Sequence, residues 1–355
     1  MSPDACVIAL GAVSALGLGD EAVRPGEAGA PARTAIARDP LLEAGGLARP
    51  FAARAPADLG VAPSEDRATD LLRAALGQVV AQLEAIRPGF RGERLGIALG
   101  TSSGGMLSSE RFFAARAEGA LTPALARRAT YFAPFDDALA SFGLAHVEPR
   151  TQILAACAAS TFAVGLGLRW LARGACDLVL CGGYDGVGLF VASGFEVLRA
   201  TTATRPRPFR VDRDGMSLGE GAGVIALVRA ADRRGANARA FIAGFGASTD
   251  AVHITAPDRT GGGLARAGAA ALADAALTGA AIDLVSAHAT ATPFNDAMES
   301  RALAALFAGA APPVVHPFKA QIGHTLGAAG VLEALAAASA LETGVAPAAA
   351  GEGPR

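Results

Sequence analysis

The chain has 355 residues, 52% of them hydrophobic and 18% charged, with a formal net charge of −2. Such a chain can bury a large core, as two domains or one large duplicated one, and its charge gives no bulk attraction to nucleic acid or to an anionic membrane. No basic stretch precedes the first apolar run (MSPDACVIALG) and no uncharged apolar run is long enough for a bilayer, so neither a secretory leader nor a membrane span is expected.

Taken in chain order, CVIALG at 6–11 predicts a first strand. Residues 21–66, rich in Ala, Pro and Gly with scattered charge, predict a surface connection rather than a domain. LGIALG at 95–100 is the next strand, followed by a short buried one in TQILAA at 151–156. From Ala158 the apolar spacing becomes helical, with Ala163, Leu166, Trp170 and Leu171 on one stripe and Gly174 as a stop signal. CDLVLCGG (176–183), GAGVIALV (221–228), RAFIAGFG (239–246) and IDLVSAH (282–288) are further strands, most of them ending in glycine or a small residue. Strands alternating with alanine-rich helices predict α/β layering with mostly parallel strands. VIALGAVSALG at 7–17 and FIAGFGASTDA at 241–251 look faintly alike, which suggests a duplication with its seam in the Arg-rich stretch 229–240. Only the final AAAGEGPR reads as a loose tail.

Four cysteines (Cys6, Cys157, Cys176 and Cys181) form no CxxC pair and have no histidines at zinc spacing, so no metal site and reduced thiols in a cytoplasm are expected. Cys157 stands apart, at the turn where strand hands over to helix in ILAACAASTFAVG. Backbone N–H groups and the positive end of the helix dipole would lower its thiol pKa there, and its small neighbours would leave room for a substrate. The plainer alternative is a small core cysteine.

Of 31 basic residues a single one, Lys319, is lysine. A compact ammonium of tunable pKa cannot be replaced by an arginine fork, so a chemical role and chance survival are both open. Five histidines occur, and two have unusual settings. His288 ends a strand before ATATPFND, and His324 lies in FKAQIGHTLGAAG, five residues after Lys319. Singly, each suits a structural histidine. With a helix-start cysteine they become a nucleophile and two imidazoles, a set fit for acyl transfer through an oxyanion.

From Thr151 onward the chain resembles the β-ketoacyl-acyl-carrier-protein synthases of fatty acid and polyketide synthesis. The likeness runs through AACAAS, LARGACDLVLCGGYDG, GFEVLRA, RPFRVDRDGMSLGEGAGVIALV, FGASTDAVHITAPD, AHATATPFNDAMES and HPFKAQIGHTLGAAGVLEAL. The resemblance implies a thiolase-like five-layered αβαβα fold from two duplicated βαβαβ halves, placed at 1–235 with Cys157 and at 236–355 with His288, Lys319 and His324. It implies decarboxylative Claisen condensation of an acyl thioester with malonyl-acyl carrier protein. Cys157 then matches the acyl-accepting nucleophile, His288 and His324 the pair that assists decarboxylation, and Lys319 the lysine beside them, partnered by Glu333. Thr290 and Thr292 match positions that hydrogen-bond the phosphopantetheine arm, which the substrate carrier protein brings, so the chain itself needs no cofactor. Met216 falls in the acyl tunnel, and Arg67, Arg127, Arg128 and Arg207 near basic positions that meet the carrier protein or serve only as solvated surface. A homodimer, or a heterodimer with a homologue, is implied.

The sequence departs from the family pattern at Ala289 and Ala291, usually glycines, and at Met216, usually a bulky aromatic. It also reads as short at the C-terminus, without a Gly-Phe-Gly-Gly loop that completes the family's oxyanion hole. A partner chain, or the local glycine-rich GTSSGG at 100–105, is then expected to supply the missing N–H. The alternative to a condensing enzyme is a catalytically weak partner subunit of the chain-length-factor kind, disfavoured because Cys157 and both histidines are kept. A degradative thiolase needs a second cysteine near the end, and none follows Cys181.

Overall fold

All seven apolar runs read above form strands in a computed structural model, which describes residues 5–24, 26, 32–253 and 256–348. The tail from residue 349 and part of the FGASTDAVHITAPD block lie outside the described residues. The strands are β1 (Ala5–Ser14), β2 (Gly17–Leu18), β3 (Ala37–Arg38), β4 (Phe51–Ala53), β5 (Leu95–Gly100) and β6 (Arg150–Ile153). They continue as β7 (Leu178–Asp185), β8 (Leu218–Gly219), β9 (Gly221–Arg229), β10 (Ala240–Ile242), β11 (Leu284–Ser286) and β12 (Val314–His316). The helices are α1 (Pro40–Ala44), α2 (Arg67–Ile86), α3 (Met106–Ala117), α4 (Pro123–Arg128), α5 (Ala133–Ser141) and α6 (Ala159–Ala172). After them come α7 (Leu189–Val197), α8 (Gly262–Ala275), α9 (Pro293–Leu306), α10 (Lys319–Ile322) and α11 (Ala329–Thr343).

The main sheet has the order β10-β1-β9-β7-β5-β6, with β2 folded back on β1. Its parallelism is confined to β5, β6 and β7, whereas β9 runs antiparallel to both β1 and β7, and β10 antiparallel to β1. The expected mostly parallel sheet is therefore a mixed one. Strand β9 enters it from a loop rather than from a crossover helix, and a loop return permits antiparallel pairing. The two look-alike segments lie side by side, Ala5 opposite Ile242. Each packs a bare backbone on a helix: a Cβ on Gly11 would sit 2.0 Å from the Ala75 carbonyl of α2, and one on Gly246 would sit 2.1 Å from the Ala267 carbonyl of α8.

Helix α2 covers one face of the main sheet, and α6 and α11 cover the other. The far side of α11 meets β11, which pairs in parallel with β12, and α8 and α9 pack together beyond. This gives five layers, helix-sheet-helix-sheet-helix. The second half is the thinner one: among the described residues its own sheet is only the β11–β12 pair. Leu326–Thr343 is apolar and long enough to cross a membrane, but half of it is buried in the fold and it carries Glu333 and Glu342.

Residues 21–66 do more than connect. They contain α1, capped by the Asp39 carboxylate, and strand β4, which pairs with β8. They also deliver Arg54 to Asp39 and Glu220, at 2.6 and 2.9 Å. Buried charges need partners, and this segment supplies them.

One glycine decides where the site can form. Gly100 ends β5 directly beneath α6, and a Cβ there would lie 2.3 Å from the Ala159 carbonyl carbon, well inside contact distance. Gly100→Ala should push α6 off the sheet and destabilise the fold by about 1–3 kcal/mol, read as a lowered denaturant midpoint. An unchanged midpoint would show that the close approach is not required.

Candidate active site

Strand β6 leads into Ala156, whose φ of 47° is left-handed, then a single 3-10 turn Ala156–Ala158, then α6. A residue with a Cβ is held there at a cost, so the turn at Ala156 is strained. The sharp turn lifts Cys157 to the start of the helix, half-buried, while Cys6, Cys176 and Cys181 are fully buried.

His324 faces it. The His324 backbone is stitched to the β8 region, its N–H to the Ser217 carbonyl at 2.7 Å and its carbonyl to the Gly219 N–H at 3.0 Å. The Leu326 N–H donates to Nδ1 of the ring at 3.3 Å, so the proton of the neutral ring sits on Nε2. Nε2 lies 2.9 Å from Cys157 Sγ. The His288 ring stands edge-on to His324, centroids 5.4 Å apart. Lys319, at the start of α10, is buried and paired with Glu333 of α11. The structure thus brings Cys157, His288, His324, Lys319 and Glu333 to one place.

The electrostatics of this group differ from the expectation for Cys157. Burial pushes its thiol up to about 11; the Lys319 ammonium and the residue's own backbone N–H pull the other way, and Asp185 and Glu333 add to the rise. Loss of water outweighs the partial charge of the helix end. Burial, helped by the Lys319 charge, drives His288 down to about 3, and burial, Lys319 and His288 hold His324 well below its ordinary value. Both rings are neutral. Glu333 is raised to about 7 by burial, opposed by Lys319.

The loop 288–292 is strained and then clamped. Ala289 and Ala291 have φ of 43° and 60°, and both are fully buried. Glu299 on α9 accepts the N–H groups of His288 and Ala289 at 2.6 and 2.7 Å, and Asp296 accepts those of Ala291 and Phe209 at 3.0 and 2.7 Å. These bonds hold a conformation that glycine adopts more readily. Thr290 and Thr292 share a hydroxyl hydrogen bond of 3.0 Å beside His288.

Met216 is a packed core residue, 4% exposed, in a cluster with Leu42, Val187, Leu218 and Leu326. Arg67 is turned inward, bonding Glu220 and the carbonyls of Ala55 and Pro56. Arg128 pairs with Glu65, and Arg207 with Asp212 at 2.7 Å. Arg127 is exposed. The GTSSGG segment cannot lend its central amides to a substrate oxygen: those of Ser102 and Ser103 are held by Asp185 and that of Gly104 by Thr101 Oγ1. Asp185, Asp296, Glu299 and Leu326 were missed in the sequence, although an acid closing the apolar run of β7 and two acids three apart on one helix were visible signals.

A half-buried cysteine at a strand-to-helix turn, facing two neutral imidazoles beneath a five-layered α/β fold, defines a thiolase-like acyl-transfer site. Family models agree: residues 66–233 match the beta-ketoacyl synthase N-terminal domain and residues 239–351 the beta-ketoacyl synthase C-terminal domain. The chain is 34% identical over 307 residues to the tetracenomycin polyketide synthase ketoacyl synthase alpha subunit of Streptomyces glaucescens, covering 81% of this chain and 71% of that one. It is 35% identical over 270 residues to 3-oxoacyl-[acyl-carrier-protein] synthase 2 of Staphylococcus aureus, covering 72% and 64%. A mitochondrial 3-oxoacyl-[acyl-carrier-protein] synthase of Arabidopsis thaliana is 38% identical over 56% of this chain, which spans 46% of that protein's length. Among solved structures, the ishigamide ketosynthase/chain length factor superposes with a TM-score of 0.85 at 30% identity, covering 99% of this chain and 90% of that one. A beta-ketoacyl synthase from Burkholderia phymatum gives 0.84 at 29% identity, covering 96% and 86%. The chain belongs to the beta-ketoacyl synthase family.

Exposure and thiol acidity together set the reactivity of the cysteines. Iodoacetamide should label Cys157 ahead of the other three, at a rate that climbs about tenfold per pH unit without levelling off below about pH 10, because thiolate is the nucleophile. A plateau near neutral pH in the mapped Cys157 peptide would contradict the raised thiol.

Proposed function

We propose that the protein catalyses decarboxylative condensation of an acyl thioester with malonyl-acyl carrier protein, giving a 3-oxoacyl product. The observation that carries this reading is Cys157 Sγ lying 2.9 Å from the protonated Nε2 of a neutral His324, with His288 alongside. In the first step Cys157 sulfur bonds to the acyl carbonyl carbon, the carrier's thioester bond breaks, and the cysteine proton goes to the departing carrier thiol. A high thiol pKa is tolerable there, since no free thiolate has to persist. In the second step the malonyl carboxylate leaves as carbon dioxide, and the electron pair left behind forms an enolate. A neutral Nε2–H donates to its oxygen without giving up the proton. The enolate carbon then attacks the acyl carbonyl on Cys157 and expels the sulfur, which takes up one proton per cycle.

Lys319 and Glu333 act through charge, the ammonium adding to burial in keeping both imidazoles unprotonated. Thr290 and Thr292 offer hydroxyls to the phosphopantetheine arm of the incoming substrate. Arg127, exposed in the last turn of α4, is the best placed of the four arginines to meet an acidic carrier. The free edge of β6 and the likeness to a ketosynthase/chain length factor support work as a dimer, with a second copy or a homologue. The four free cysteines suit a reducing cytoplasm. The alternative is a catalytically weak partner subunit, and the likeness to a ketosynthase/chain length factor supports it.

Mass spectrometry of the carrier-bound product from acyl- and malonyl-carrier protein decides between them. A 3-oxoacyl product lengthened by two carbons is expected, and its absence with a folded protein would leave the partner role. Given turnover, His324→Ala should slow malonyl decarboxylation by about a hundredfold or more while acyl loading of Cys157 remains measurable; equal loss of both steps would contradict the donor role. Lys319→Arg should not restore turnover, because a planar fork does not fit a buried point-charge position beside Glu333. Wild-type rates in that variant would remove Lys319 from the chemistry.

A further inference from the structure

The last residue of β7, Asp185, is fully buried and touches neither Cys157 nor His324 through a hydrogen bond, yet it gathers donors from both sides of the site. Its Oδ1 accepts the Thr101 hydroxyl at 2.8 Å, the Ser103 N–H at 2.9 Å and the Ser103 hydroxyl. Its Oδ2 accepts the Ser102 N–H at 2.8 Å and the Gly327 N–H at 2.6 Å. Burial pushes the Asp185 carboxyl up and these hydrogen bonds pull against it; three of the donors are backbone amides, which cannot accept in return, so both oxygens serve as acceptors.

The Gly327 bond is the consequential one. Gly327 follows Leu326, whose φ of 51° is left-handed and unfavourable for a branched residue. The other N–H of this turn, that of Leu326, donates to Nδ1 of His324. A Cβ on Gly327 would lie 2.6 Å from Thr101 Cα and 2.7 Å from Asp185 Oδ2, so the turn is seated directly on the carboxylate and the 101–103 loop. We infer that Asp185 is a positioning residue for His324: by holding the Gly327 N–H it fixes the Leu326–Gly327 turn, and that turn decides which ring nitrogen of His324 carries the proton toward Cys157. Without the carboxylate, the strained turn has nothing to hold it, the Leu326 N–H leaves Nδ1, and the ring is free to take either tautomer. The importance of that proton for chemistry rests on the condensing reading; the positioning itself does not.

The test is the 15N spectrum of protein labelled at its five histidines, with His324 assigned by its loss in His324→Ala. Wild-type protein should show His324 in the Nε2–H tautomer alone, and an Nδ1–H ring would overturn the inference outright. In Asp185→Ala that signal should split or average between tautomers, and malonyl decarboxylation should fall by about a hundredfold, as for a lost donor, while acyl loading of Cys157 stays measurable. A folded Asp185→Ala that keeps a single Nε2–H signal overturns the inference. Should Asp185→Ala fail to fold, Ser103→Ala carries the test. It removes only a hydroxyl donor to Oδ1, leaves the Gly327 bond intact, and is expected to keep the single Nε2–H signal; a mixture there would contradict the assignment to Gly327. The tautomer is read without turnover, so a failed condensation assay leaves this result standing.

Discussion

The geometry of this site depends on backbones that approach one another with no side chain between them. Strand β5 ends at Gly100 under the start of α6, and β7 carries Gly183, two residues before its end, under the turn that follows His324. A Cβ on Gly183 would be 2.6 Å from the Gly327 carbonyl oxygen, and one on Gly330 would be 2.0 Å from the Thr161 hydroxyl. Glycine at these points lets the nucleophile helix and the histidine turn settle onto the same strand ends. The contact between Cys157 and His324 across 167 residues of sequence is a by-product of that packing. Close-packed interiors transmit such constraints, because a methyl group inserted at one contact has nowhere to go.

Burial then sets the chemistry. An imidazolium buried beside an ammonium is disfavoured twice, by lost hydration and by like charge, so His288 and His324 are held neutral, which suits the proposed role of donors better than that of acids. The same burial raises the Cys157 thiol and the Glu333 carboxyl. Lys319 brings the positive charge of the group, and its pairing with Glu333 keeps it from facing the interior uncompensated. The proposed reaction suits these surroundings: the sulfur gives up its proton only as a carrier thiol departs, and the enolate finds donors already in place.

Much of this was legible in the sequence. Apolar period and glycine stops located every strand of the main sheet that supports the site, and the break in period at ILAACAAS located the nucleophile turn. The lone lysine and the two oddly placed histidines do converge on Cys157. Strand direction was not legible, because an apolar run looks the same whether its neighbour runs with it or against it. The sign of the Cys157 shift was misread for a related reason: local sequence shows the helix end but not how much water the fold removes. The inward turn of Arg67 follows from Glu220, 153 residues away, and the clamp of Glu299 and Asp296 on a strained loop follows from φ angles that alanine does not advertise. Asp185 showed only as an acid closing the apolar run of β7, because its five donors come from two distant segments.

Both imidazoles remain uncharged beside Lys319 throughout the range in which a free imidazole would titrate, centred near 6.5. The direct measurement is the 15N chemical shift of the His288 and His324 ring nitrogens followed from about pH 5 to about pH 8. Neutral rings should give flat shifts across that range. A titration midpoint for either ring near 6 to 7 would contradict their neutrality.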